Sequence, residues 1–442
     1  MRYIIGLLSA LVWGSGQFIN KQKIKGLCFF LFQAVWIGIE LGTGSINILN
    51  GSAEPQFRNA GFFIRGLWGL ITLGSIPRTN SSVKVYDHSV MLMLGGIIST
   101  LVLLIFAAIW IWNIIDAYKT RQKIEAGNVV SSADYFRTLW KESFEYIMIT
   151  PGMLLVIFIS IVPIVFAILV AFTNYNANFI PPRRLVEWTG FETFANIIGI
   201  KIWGATFVQI FIWTVIWAFL ATFTSYSFGL FQALILRSKA VRFRSVWRGI
   251  FILPWAVPGM VSMLIFKSMF HSEGAINQLL LKAGIIDQAI PFLSNVFWAR
   301  FCLIVVNVWL GFPYFMALIS GVMTTVPQEQ YEAAQIDGAN VVQQFISITL
   351  PGILASTSPQ ILMSVTFNFN NFNMIYFLTG GGPANPAFQM AGSTDILISW
   401  IFKLTLDQRM YNYASALSIF IFIIVASISA WNLLRTRAFK EE

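Results

Sequence analysis

The residues best suited to chemistry in this 442-residue sequence are four neutral amides set among phenylalanines, Phe367-Asn368-Phe369-Asn370-Asn371-Phe372-Asn373. They sit inside an apolar run, where an unsatisfied amide costs roughly 2–7 kcal/mol depending on the reference state. Each must therefore face protein, water or a ligand. On a helix, Phe367, Asn368 and Asn371 fall together at i, i+1 and i+4, and Asn370 and Asn373 share a different face. An amide donates and accepts at once, which suits sugar hydroxyls. An adjoining aromatic ring covers the apolar face of a pyranose. Neutral amides with an aromatic ring and no charge favour a neutral polyol over an ion or an amino acid. Interhelical hydrogen bonding is the competing role for any one of these asparagines.

A second patterned stretch is 327–351, PQEQYEAAQIDGANVVQQFISITLP. Pro327 suits a helix start, and Glu329 and Glu332 near that start favour the helix dipole. The pattern predicts a short helix over 328–336, a turn at Asp337-Gly338 where glycine accepts positive φ, and a second helix from Asn340 towards Pro351. Ala333 and Ala334 let another backbone approach, and Glu332 offers a carboxylate to a cation on a partner.

Other chemistries are poorly served. No Gly-x4-Gly-Lys-Ser/Thr loop occurs, and Gly380-Gly381-Gly382-Pro383 has neither a lysine nor a strand–helix setting. His88 and His271 are not spaced as a site, and Cys28 and Cys302 both fall in apolar segments. We therefore expect no catalytic set, no metal site and no enzyme. An ion-coupled transporter would carry ionisable groups in mid-span, and the central spans have almost none.

The elements that must position these residues are membrane helices. The chain is 57% hydrophobic and 11% charged, with a mean hydropathy of +0.72, whereas soluble domains carry roughly 25% charged residues. A span needs about 20 apolar residues, and eight segments qualify: 24–42, 89–113, 146–172, 203–235, 248–269, 300–323, 350–378 and 411–434. The expected class is thus all-α integral membrane, with 1–145 holding an N-terminal interfacial segment and two spans, and 146–442 holding six. Met1 to Gln17 reads as an interfacial helix. The short stretch 62–77, with Arg65 and a terminal Pro77, reads as re-entrant or interfacial. Pro254 and Pro258 should kink the fifth span.

The net charge of +10 is a matter of topology rather than of nucleic-acid binding. Lys21, Lys23 and Lys25 precede the first span. Lys119, Arg121, Lys123, Arg137 and Lys141 lie in 114–145, Arg237, Lys239, Arg242 and Arg244 in 236–247, and Arg435, Arg437 and Lys440 in the tail. With eight spans all fall on one side, which sets both termini in the cytoplasm of a multi-pass plasma-membrane protein. The loop 327–351 falls on that side too, although it holds no Lys or Arg.

At that loop the chain resembles the permeases of ABC importers. Their signature reads Glu-Ala-Ala, three residues, Gly, nine residues, then Ile-x-Leu-Pro, and here it is met by Glu332-Ala333-Ala334, Gly338 and Ile348-Thr349-Leu350-Pro351. The chain is most similar to the larger permease of the maltose/maltodextrin family over its last 300 residues or so, in a Gram-positive-like form without the large extracellular domain at 173–202. The resemblance implies a type I importer fold and a coupling helix, carrying Glu332, Ala333, Ala334, Asp337, Gly338, Leu350 and Pro351, that docks on an ATPase. It places sugar contacts at Phe367, Asn368 and Asn371, at Gly311 and Tyr314 in the sixth span, and at Trp255, Gly259 and Leu264 in the fifth. Trp255 and Gly259 depart from the tyrosine and serine expected there. It also implies a second, similar permease, two ATPase subunits, an extracellular sugar-binding lipoprotein and an oligosaccharide substrate, with membrane lipid around the chain. No cofactor is expected in this chain, ATP and Mg being bound by the ATPase partners.

Overall fold

The computed structural model describes residues 2–44, 56–81, 83, 85–127, 140–141, 143–238, 240–325 and 327–435, with side chains at 56, 428–429 and 431–435 left aside. Arg137, Lys239, Arg437 and Lys440 lie outside the described residues. The chain packs as two units, Met1–Thr193 with Met410–Ile419, and Phe194–Arg409 with Phe420–Glu442.

The first unit holds α1 (Arg2–Leu11), α2 (Ser15–Ile19), α3 (Lys23–Thr43), α4 (Phe62–Thr72), α5 (Ser89–Glu125) and α6 (Phe144–Val170). The span expected over 89–113 continues to Glu125, so Lys119, Arg121 and Lys123 ride on a helix rather than in a loop. Asn113 on α5 organises the N-terminal segment. Its Nδ2 donates to the Ser9 carbonyl at 2.8 Å, and its Oδ1 accepts from the Gly14 amide at 3.1 Å. Lys25, expected as a free topological charge, is buried and paired with Asp116 at 2.5 Å. The segment expected at the interface is therefore strapped to α5. The stretch 62–77 forms an eleven-residue helix that ends at Leu73, too short to span on its own. It lies close against α5, where a Cβ at Gly66 would collide with the Ser99 hydroxyl.

The second unit holds α7 (Glu192–Gly199), α8 (Lys201–Arg237), α9 (Arg244–Ala256), α10 (Gly259–Met269), α11 (Ala275–Lys282), α12 (Val296–Val322), α13 (Gln328–Ile336), α14 (Val341–Phe369), α15 (Phe372–Leu378), α16 (Leu397–Leu406) and α17 (Tyr411–Arg435). The first ten residues of α17's segment, from Met410, pack with the first unit. Helix α8 is the spine, crossed closely by α12 at Gly229, where a Cβ would come within 2.6 Å of the Phe315 side chain. Trp217, Cys302, Leu303 and Val306 are fully buried in that packing, with Met374 and Ile375 of α15 joining them. Cys302, which lies in an apolar segment of the sequence, is a small buried apolar group there, whereas Cys28 is half-buried.

Six described helices are long and apolar enough to cross a membrane, α3, α5, α6, α8, α12 and α14. The fifth expected span is bent by 88° between α9 and α10. Pro254 and Pro258 each remove a backbone donor there, so the kink expected at the prolines is a near right angle. The last expected span is the 25-residue α17. The seventh departs most: α14 ends at Phe369, and a separate helix begins at Phe372, so 350–378 is two helices with a corner between them. Widened π turns at Ile157–Ile161 and Phe345–Thr349 precede Pro163 and Pro351, whose rings crowd the carbonyls one turn back.

Candidate functional site

A cavity of about 450 Å³ opens within the second unit between α8, α10, α12, α14 and α15. Five of the eight expected sugar contacts line it: Gly311, Tyr314, Phe367, Asn368 and Asn371. Trp255, Gly259 and Leu264 do not line it. The break between α9 and α10 turns the fifth span aside, leaving Trp255 at the margin, where its Nε1 donates to the Leu310 carbonyl at 3.1 Å and its ring tilts over Tyr314 at 6.3 Å. Leu264 instead lines an adjoining hollow with Lys267 and His271.

The corner in the seventh span decides which amides meet. Asn371 caps α15, accepting the Met374 amide at 3.3 Å, and its Nδ2 donates to Asn368 Oδ1 at 3.4 Å. Asn368 is 4% exposed, and its Nδ2 donates to Thr222 Oγ1 on α8 at 3.0 Å. The Trp217 indole holds the Asn368 carbonyl from the same helix at 3.0 Å. Asn368 thus lines the cavity and also makes an interhelical hydrogen bond. Phe367 is 67% exposed and stands over the cavity. Asn373, expected on the opposite face with Asn370, lines the same cavity. A continuous helix would have kept it away, and the break at Asn370 restarts the helical phase.

Sequence reasoning missed Ser225, Asn307, Gln360 and Ser364, which also line the cavity. Part of the signal was available: Gln360, Ser364 and Asn368 recur at i, i+4 and i+8 on one helical face. Asn307 and Ser225 carried no local signal, because their meeting depends on the crossing of α12 and α8. There Asn307 Nδ2 donates to Ser225 Oγ at 3.1 Å. Gly311 serves the same crossing, since a Cβ on it would lie 2.9 Å from Ser225 Oγ. The cavity therefore offers neutral donors and acceptors, one exposed phenyl ring and a tyrosine, with no ionisable carboxylate or amine in its lining.

The second expected site is the helix–turn–helix at 327–351. Helix α13 runs as expected, and Glu332 on it accepts from Gln328 Nε2 at 3.0 Å and is exposed. Gly338 takes φ +80°, the left-handed conformation the turn requires, with nothing within 4 Å of a Cβ placed there. Asn340 and Gln343 then form a reciprocal capping box that starts α14, and Leu350 and Pro351 lie within that helix. Arg237 at the end of α8 holds α13 in place. Its guanidinium lies 4.9 Å from the Tyr331 ring centroid and donates to the Tyr331 hydroxyl at 3.2 Å, and that hydroxyl meets Thr349 Oγ1 at 2.9 Å. At the tip Ile336 and Val341 are 86% and 79% exposed.

The chain's relatives agree in kind. A family model described as "Binding-protein-dependent transport system inner membrane component" matches residues 225–436. A galactooligosaccharides transport system permease protein of Bacillus subtilis (strain 168) is 39% identical over 441 residues, covering 99% of both chains. A maltodextrin transport system permease protein of the same organism is 36% identical over 446 residues, covering 99% of this chain and 96% of that one. Among solved structures, a bacterial ABC transporter involved in import of the acidic polysaccharide alginate matches 69% of this chain and 99% of its own, at 19% identity and a TM-score of 0.56, a likeness of fold.

Proposed function

The chain belongs to the family of ABC sugar-importer permeases, and from that premise we propose that its second unit forms the path of a maltodextrin-like neutral oligosaccharide. The carrying observation is the 450 Å³ cavity in which neutral amides face an exposed Phe367. Hydroxyls can both donate to and accept from such a lining, and the ring covers a pyranose face. In this reading Phe367, Tyr314 and Asn371 contact the sugar. Asn368 and Gly311 chiefly hold the walls, and Trp255, Gly259 and Leu264 come into play only if the α9–α10 corner moves during alternating access. The relative that carries galactooligosaccharides supports a second substrate of the same chemistry.

Hydrolysis of ATP, with its Mg, belongs to two partner ATPases, one under this permease and one under a second, similar permease. Exposed Ile336 and Val341 flank the turn that the ATPase under this permease would cover, with Glu332 and the small Ala333 and Ala334 beside it. Sugar arrives on an extracellular binding lipoprotein. Both termini lie in the cytoplasm in this reading, supported by Arg2, which pairs with Glu125 at 2.6 Å beside the basic end of α5. The test is uptake into vesicles holding the complete transporter, with the binding protein outside and ATP inside, against a panel of neutral and acidic oligosaccharides. Maltodextrins or galacto-oligosaccharides should enter. Uptake confined to acidic sugars would overturn the reading.

A further inference from the structure

We infer that Gln360 is a sugar-binding residue that sets how this permease handles chain length. The inference rests on the cavity being the sugar path. Gln360 lines that cavity on α14, on the face that carries Ser364 and Asn368. Its Oε1 is closed off from solvent and has no hydrogen-bond partner among the described residues. The neighbouring amides are engaged with protein: Asn368 with Thr222, Asn307 with Ser225, and Asn371 with Asn368 and the Met374 amide. A buried acceptor left unpaired is costly and is tolerated where something else completes it. In a cavity of neutral polar groups, the partner of fitting chemistry is a hydroxyl.

Position gives the length argument. Gln360 precedes Phe367 by two helical turns, a rise of about 10 Å, which is the reach of two linked pyranose rings. A disaccharide centred on Phe367 covers only about half of that rise towards Gln360, and further rings on that side reach it. The Gln360 oxygen ties α14 to no neighbouring helix among the described residues.

The experiment compares Gln360→Leu, Phe367→Ala and the unaltered chain in the complete transporter. It measures uptake of maltose, maltotriose and maltotetraose, membrane abundance, and the thermal midpoint of the complex. For Gln360→Leu we expect uptake of the tri- and tetrasaccharide to fall about three- to tenfold relative to maltose, the loss of one neutral hydrogen bond. The thermal midpoint should hold or rise, since leucine removes an unpaired acceptor, a pairing of effects that a merely structural glutamine would not give. Phe367→Ala should depress uptake at every length. If Phe367→Ala is impaired while Gln360→Leu keeps the normal length profile, Gln360 is not a contact although the cavity is the site. Loss of abundance by Gln360→Leu in step with uptake would make it a packing group. Normal uptake by both variants would remove the cavity itself from the sugar path.

Discussion

Two neighbouring residues of the seventh span differ sharply in their surroundings. Phe367 stands largely exposed over the cavity, whereas Asn368 is buried and holds Thr222. Phe367→Ala should therefore lower sugar uptake with membrane abundance unchanged. Asn368→Ala removes the amide that donates to the Thr222 hydroxyl and the oxygen that accepts from Asn371 Nδ2, at about 1–3 kcal/mol for buried groups. We expect that variant to lose abundance first, with uptake per molecule nearly kept. Quantitative blotting beside uptake distinguishes the two, and equal abundance with abolished uptake for Asn368→Ala would return that amide to the sugar.

At the scale of elements, the α13–α14 turn depends on a conformation rather than on space. Gly338 sits at φ +80° with open surroundings, so a β-branched residue is excluded by its own backbone. Gly338→Val should insert normally yet abolish sugar-stimulated ATP hydrolysis by the assembled complex. Full stimulation would show that the turn tolerates another path. In the first unit, the link from α4 to α5 is closed by Asp87. Its Oδ1 pairs with Arg58 at 2.5 Å, and its Oδ2 accepts the Ser75 and Ile76 amides at 2.8 and 3.0 Å. Burial by itself pushes the Asp87 carboxyl up, but Arg58 and the two amides outweigh it and hold the group below its usual value. A depressed carboxyl contributes stability that is present above its unfolded pKa and lost as pH falls through its folded one. Asp87→Asn should thus lower the thermal midpoint at neutral pH, and the difference should shrink as the medium is acidified below the ordinary carboxylate range. A difference independent of pH would leave only the shape of the side chain at work.

For the molecule as a whole, transport needs groups this chain does not supply. Purified by itself, the chain should hydrolyse no ATP. Joined to its second permease and two ATPases, it should support hydrolysis stimulated by the sugar-loaded binding protein. A stable, ATP-hydrolysing preparation of the single chain would contradict that division of labour.

The sequence by itself determined the parts that depend on near neighbours. Long apolar runs dictate helices because lipid leaves the backbone no other partner. The Asp337-Gly338 turn and the Asn340 cap are local devices, and both stand where the pattern placed them. The family was legible in one loop, from Glu332 to Pro351. Tertiary structure decided what depends on distant groups. The helix break at Asn370 turned Asn373 into the cavity, and Asn368 gained an interhelical hydrogen bond because Thr222, 146 positions away, lies opposite it. The 88° corner after Ala256 left Trp255 at the cavity's margin. Lys25 looked like a solvated charge until Asp116 was brought beside it. Helical periodicity assigns a face only while the helix continues, and the partner on that face is chosen by packing between segments far apart in the chain.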